Sequence, residues 1–329
     1  MRSNLYNMRT ARFVLILVSL SIFFPLGVKA QDPEFTQFFS NPLYLNPAFA
    51  GSKRCPRISL NYRNQWPALS GTFVTTSASY DQHVESIYGG IGLLVTNDKA
   101  GEGTLNTTTV SGIYAYQLKL GRKFSLRFGV QATYFQKSLD WSKLTFGDMI
   151  DPRRGFVYQT GDVPRGGSVG NVDFSAGVLG FSENFYIGFS AHHLTEPNES
   201  LVTGNSPLPM KISGHAGAVI PLNNSKYSTN EATISPNIMY RSQGTFQQLN
   251  MGLYINTKNI VFGAWYRNKD AFIALIGIQT DVVKIGYSYD VTISKLTNAS
   301  GGSHEISMGI NIPCKPKKRS FRTISCPSF

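Results

Sequence analysis

The segment Glu305-Ile306-Ser307-Met308-Gly309-Ile310-Asn311-Ile312 constrains the fold of this chain more than any other. Ile306, Met308, Ile310 and Ile312 fall on one face, and Glu305, Ser307, Gly309 and Asn311 on the other. Strict alternation is the period of a β-strand with one apolar and one polar face. Residues 124–137 repeat it most clearly: Phe124, Leu126, Phe128, Val130, Ala132 and Tyr134 oppose Ser125, Arg127, Gly129, Gln131 and Thr133. Similar segments recur at 58–66, 72–80, 89–97, 105–117, 171–181, 185–194, 210–220, 232–241, 246–256, 260–267, 271–279 and 282–290. With 304–312 they predict about fourteen strands. Ser182-Glu183-Asn184 reads as a hairpin turn, and Pro236 predicts a bulge in its strand.

The chain opens with Arg2, Arg9 and Arg12 before an apolar run, 13–28, that Pro25 and Gly27 interrupt. Val28-Lys29-Ala30 follows at cleavage spacing. This pattern predicts a secretory signal peptide over 1–30 and a mature start at Gln31, rather than a retained anchor. The formal charge of +12 becomes +8 without Arg2, Arg9, Arg12 and Lys29. Lys315, Lys317, Lys318, Arg319 and Arg322 concentrate part of that excess in a basic tail, 313–329. In an exported protein such a tail suits anionic lipid, peptidoglycan or an acidic partner, or is simply solvated; nucleic acid is not expected. Cys55, Cys314 and Cys326 are too few for a disulfide framework. The candidate disulfide is Cys314–Cys326, which leaves Cys55 free. No cysteine spacing resembles a zinc site.

Amphipathic strands in an exported chain form either a sandwich in water or a barrel in a membrane. Aromatic placement favours the barrel: Tyr80, Tyr88, Tyr134, Tyr240, Trp265, Tyr266, Tyr287 and Tyr289 lie at or near strand ends, where interfacial girdles belong. Gly90, Gly92 and Gly286 sit inside strands, which weakens a soluble sheet but makes room inside a lumen. A closed barrel also removes sheet edges, and no linker divides two sandwiches. The fold class read from the sequence is therefore all-β, a single antiparallel transmembrane β-barrel over 58–312. An irregular segment, 31–57, precedes it. Residues 271–279 are apolar on both faces, which predicts a packed or plugged interior. Phe35, Phe38, Phe39, Leu43, Tyr44 and Leu45 make the irregular segment apolar enough to be the plug or to pack at the rim.

Sites of chemistry are sparse. His192, His193 and Glu196 are the one metal-like grouping. Neighbours on a strand point to opposite faces, so a polar loop network is expected in place of a metal. His304 and Glu305 are split between faces in the same way. There is no Gly-x-Ser-x-Gly elbow, no phosphate loop and no fixed carboxylate pair. Neither catalysis nor a cofactor is expected. Arg63 and Trp66 are either interface anchors, or a lumen network residue and an aromatic-belt residue. Long irregular stretches at 139–170 and 195–209 offer binding surface, with Tyr44 and Phe156 as aromatic anchors and Arg153 and Arg154 at the rim.

Several motifs, in order, resemble the PorP/SprF family of outer-membrane proteins of the type IX secretion system. They are Asp32-Pro33-Glu34-Phe35-Thr36-Gln37-Phe38-Phe39-Ser40-Asn41-Pro42-Leu43-Tyr44-Leu45-Asn46-Pro47-Ala48-Phe49-Ala50-Gly51, Tyr62-Arg63-Asn64-Gln65-Trp66-Pro67 and His192-His193-Leu194-Thr195-Glu196-Pro197-Asn198. Trp265-Tyr266-Arg267, Gly286-Tyr287-Ser288-Tyr289-Asp290, Gly301-Gly302-Ser303-His304-Glu305-Ile306-Ser307 and the closing Cys326-Pro327-Ser328-Phe329 complete the series. Cys55 stands outside it. The resemblance implies a non-enzymatic outer-membrane barrel that supports secretion, surface anchoring or gliding-related display of adhesins. Its implied partners are the periplasmic ring, a peptidoglycan-binding protein and the C-terminal domains of adhesins. A solute channel and an outer-membrane hydrolase are the competing functions.

Overall fold

The computed structural model describes residues 31–314, apart from 70, 102, 122, 162–166, 202–203, 223–231 and 295–300. The expected signal peptide, the basic tail beyond Cys314 and Cys326 lie outside the described residues. The wall is made of β1 (Arg57–Gln65), β2 (Phe73–Val84), β3 (Gly89–Ala100), β4 (Leu105–Lys119), β5 (Ser125–Leu139), β6 (Ser168–Phe181) and β7 (Phe185–His192). It continues through β8 (Lys211–Ala218), β9 (Thr233–Gln243), β10 (Phe246–Thr257), β11 (Ile260–Arg267), β12 (Ala271–Gln279), β13 (Val283–Thr292) and β14 (Ser303–Asn311). Each strand pairs antiparallel with its neighbour in the chain. β14 returns to β1 from Arg57↔Asn311 to Gln65↔Ser303 and closes a 14-strand barrel.

Closure has a direct consequence for which face is wet. On β1, Ser59, Asn61 and Arg63 are buried while Leu60 and Tyr62 are exposed. On β5, Arg127, Gln131 and Thr133 are buried while Phe128, Val130 and Tyr134 are exposed. The polar face is the interior and the apolar face is the outer wall, the inverse of a protein folded in water. A continuous apolar belt of this extent is stable against lipid, where closed strands also satisfy every backbone group. Ile285 is half exposed on this wall. Replacing Ile285 with Arg should destabilise the inserted barrel by about 2–4 kcal/mol if it lies near the bilayer midplane. Urea titration of the protein in vesicles measures this, and an unchanged midpoint would contradict the assignment of faces.

Fourteen strands enclose more space than wall side chains fill. Residues 31–56 occupy much of it. They pass through short helical turns at Phe38–Ser40, Pro42–Leu45 and Pro47–Phe49, each of the last two begun by a proline at a position where its missing N–H costs nothing. Leu43, Ala48 and Ala50 are fully buried, in one cluster with Leu94, Ile113, Ala115, Leu179, Met239 and Ile273 of the wall. Ile273 and Leu275 are thus the inward face of the doubly apolar β12, packed against the plug. Glycines set the fit: a Cβ at Gly129 would lie 2.3 Å from the Ala48 nitrogen, and one at Gly90 would lie 2.3 Å from the Ala50 carbonyl oxygen.

Three local expectations are corrected. Trp265, expected in a girdle, is buried in the lumen and meets Phe38 edge-on at 5.2 Å. Pro236 produces no bulge: its pairing with Leu253 keeps the β9–β10 register unbroken. What lapses is the other ladder, between Gly217↔Asn237 and Ile220↔Ile234, where proline has no N–H to give. Finally, Cys314 is bonded to Cys55 and not to Cys326. The closing strands carry these two residues together: Arg57 faces Asn311, the Ile312 N–H donates to the Pro56 carbonyl, and the cysteines follow with Cα atoms 5.5 Å apart.

Candidate functional site

Inward-facing positions on separate strands converge on the plug. Alternation turns Arg63 of β1, Glu305 of β14, Asp290 of β13 and Arg267 of β11 into the lumen. Arg63 is 2% exposed and Glu305 fully buried. Arg63 lies 3.0 Å from Asp290 and 3.4 Å from Glu305, and Arg267 lies 3.3 Å from the same Asp290 oxygen. Two guanidinium groups thus pair with these two buried carboxylates, and Arg267 also reaches the more exposed Asp270 at 3.2 Å. Thr36 sits at their centre: its hydroxyl donates to Asp290 at 2.7 Å and accepts from both Arg63 and Arg267. The backbone N–H groups of Thr36 and Gln37 donate to the Glu305 carboxylate, and the Gln37 side-chain amide donates to the Glu305 carbonyl at 3.0 Å. Charges removed from water are tolerated only when paired and hydrogen-bonded to this degree.

A second anchor holds the start of the plug. The two ring nitrogens of His193 donate to Asp32 and Asp173, each at 2.8 Å, and the Lys211 ammonium also reaches Asp32. Burial works against the charge on His193, but the charge of Asp32 and the two carboxylate bonds outweigh it and raise its pKa to about 9. Further along, the Asn46 amide donates to the carbonyls of Val178 and Phe189. Arg127 donates to the carbonyls of Ala50 and Gly51. Asp81 accepts from Arg57 at 2.8 and 3.0 Å and from the Gly51 N–H at 2.8 Å.

The residues singled out in the sequence fall into two places. Tyr44, Asn46, Arg63, His192, His193 and Glu305 belong to the plug or its anchors. Tyr44 is partly buried and packs edge-on with Phe35 at 5.1 Å, with Lys211 over its ring. His192 and His193 do not point to opposite faces as expected. The strand ends at His192, and a left-handed turn at His193 (φ 60°) swings its ring back towards Asp32. Glu196 instead accepts from the Met210 N–H at 3.3 Å, and among the described residues no group of His, Cys, Asp and Glu is placed to hold a metal ion. His304, on the face opposite Glu305, lies against Tyr287 and Tyr289.

Trp66 and the loop residues share the end of the barrel away from Arg57 and Asn311. Trp66 packs edge-on with Phe73 at 5.8 Å. Connections 140–167 and 193–210 stand on this end. The first carries a two-residue β-pair, Ile150–Asp151 with Gly155–Phe156, turned by the Asp151 carboxylate accepting from the N–H groups of Arg153 and Arg154. Phe156 is 59% exposed, and Ile150, Val157 and Tyr158 are exposed beside it. Asp173 and Lys211 were not singled out in the sequence, and Asp32, Thr36, Arg267 and Asp290 stood there only inside the motifs of the resemblance, with no role of their own. Their signal was charge on the polar face of a strand or on the plug, but nothing local says which charges meet.

The chain matches, over residues 27–310, the profile of the family described as "Type IX secretion system membrane protein PorP/SprF". No curated protein matches it. Among solved structures it is similar to a Pseudomonas aeruginosa FadL homologue, at 11% identity and TM-score 0.41, covering 83% of this chain and 94% of the other. The translocator domain of the autotransporter NalP from Neisseria meningitidis gives 11% and 0.40, covering 83% and 92%. A KdgM porin gives 8% and 0.36, covering 78% and 99%.

Proposed function

Because the chain belongs to the PorP/SprF family of type IX secretion system membrane proteins, we propose that it is a docking barrel that supports secretion, anchoring or gliding-related display of surface adhesins, without catalysis. Its proposed partners are periplasmic ring and peptidoglycan-binding components of the secretion system and the C-terminal domains of adhesins. The N-terminal pattern supports delivery to the outer membrane by the general secretory route. One observation carries the choice of docking over conduction: the lumen is occupied by a covalently attached segment whose Asp32 pairs with His193 and Lys211, and whose Glu34 pairs with Arg241. Lipid covers the outer wall, so the ends of the barrel remain for partners. Long connections face outward in barrels of this kind, and Phe156, Val157 and Tyr158 offer exposed anchors there with Arg153 and Arg154 beside them.

Excising part of the 140–167 connection tests this. The shortened barrel should still insert and migrate heat-modifiably, and solute uptake should be unchanged. Surface display of one or a few large adhesins should be lost. Normal display of every cargo would remove this loop from the reading. A deletion strain defective only in solute permeation would replace docking with conduction.

A further inference from the structure

The plug leaves one side of the lumen unfilled. A cavity open at one mouth lies between the plug and strands β10 to β14 and β1, towards the end where β1 begins and β14 ends. Small residues on neighbouring strands keep this space clear. Gly277 faces Gly286, and Lys284 faces Gly309. A Cβ at Gly286 would lie 2.6 Å from the Gln37 side chain, whereas one at Gly309 would meet nothing nearer than the Lys284 Cβ at 3.8 Å. The emptiness beside Gly309 is therefore real room.

Its two ends differ in chemistry. Phe39, Tyr254 and Leu275 give the inner part an apolar surface, continuous with the cluster that packs the plug. Lys53, Arg57 and Lys284 line the outer part. Asp81, which acts on Lys53, is committed to Arg57 and the Gly51 N–H. Among the described residues Lys53 donates to the Asn311 side-chain carbonyl at 3.2 Å. No carboxylate among the described residues forms an ion pair with Lys53 or Lys284. Partly buried cations without a counter-charge are costly, and an entering anion would offset that cost. Lys53 faces Lys284 of β13, Arg57 of β1 and Asp81 of β2. Burial and the two cations bring its pKa down to about 7.

We propose that this cavity binds a small amphipathic carboxylate, with the head group between Lys53, Lys284 and Arg57 and the hydrocarbon part on Phe39, Tyr254 and Leu275. The assignment goes beyond the docking role and does not depend on it. A neutral solute would leave the cations unanswered, and an inorganic anion would leave the aromatic floor unused.

Calorimetric titration of the full chain in nanodiscs with hexanoate, acetate and hexan-1-ol tests the proposal. Hexanoate should bind at least about tenfold more tightly than either control. Lys284→Met, which keeps an apolar stem, should weaken hexanoate binding by about tenfold. Gly309→Trp should abolish it while heat-modifiable migration persists. Affinity should be level from about pH 5.5 to 6.5, where hexanoate stays ionised, and fall as pH rises through 7 and Lys53 loses its charge. Equal binding of acetate and hexanoate overturns the proposal, as does full affinity in Lys284→Met. If Gly309→Trp fails to insert, Lys284→Met decides alone. A short peptide ending in a leucine carboxylate separates the two sources of this chemistry, and binding of the peptide in place of hexanoate overturns assignment to a small acid.

Discussion

Arg63→Leu should cost the folded barrel about 3–5 kcal/mol, because it removes one partner from a buried ion-pair network and leaves the other charged. Asp290 keeps Arg267 at 3.3 Å, but Glu305 keeps only the N–H groups of Thr36 and Gln37. The informative control is Arg63→Leu combined with Glu305→Leu. That pair leaves Arg267 and Asp290 balanced, so the double variant should be less destabilised than Arg63→Leu alone. Equilibrium urea unfolding in vesicles, followed by tryptophan fluorescence, measures both. If the two costs simply add, Arg63 and Glu305 are not coupled, and the network does not hold the plug in the way its geometry indicates.

Deleting residues 33–52 should turn a closed barrel into a conducting one. The segment removed contains Leu43, Ala48 and Ala50, fully buried against the wall, and the Thr36 and Gln37 contacts with Glu305. Cys55 and its bond to Cys314 are retained, so the seam between β1 and β14 keeps its covalent closure. In planar bilayers the intact protein should show no steady current, and the deletion should show discrete ion-conducting steps. Steady current through the intact protein would mean that the plug does not seal the lumen, and the channel reading would regain its standing. Failure of the deletion to insert would instead identify the plug as part of the folding core, since Trp265, Tyr254 and Met239 would then face water.

The candidate site was legible in proportion to how local its causes are. Arg63 and Glu305 were marked by charge on the polar face of a strand, and each turns into the lumen as that alternation requires. The plug was announced by its own apolarity and by β12, whose inward Ile273 would be senseless against water. His193 misled, because one left-handed residue at the strand end redirects a side chain that alternation would have sent outward. Trp265 misled for another reason: a tryptophan near a strand end suits an interfacial girdle and a plugged lumen equally, and only its inward position on β11 selects the lumen.

Period-2 patterning determined that the chain is an all-β wall with one apolar face, since the pleat acts on residues two apart and needs no distant partner. Tertiary structure alone decided that β14 closes onto β1, that Cys314 meets Cys55, that Thr36 lies among Arg63, Arg267 and Asp290, and that a cationic cavity remains beside Gly309. These contacts join residues more than two hundred positions apart or from several strands at once. The ladders that bring them together are backbone hydrogen bonds, which every residue but proline can form and which therefore leave little trace in residue identity.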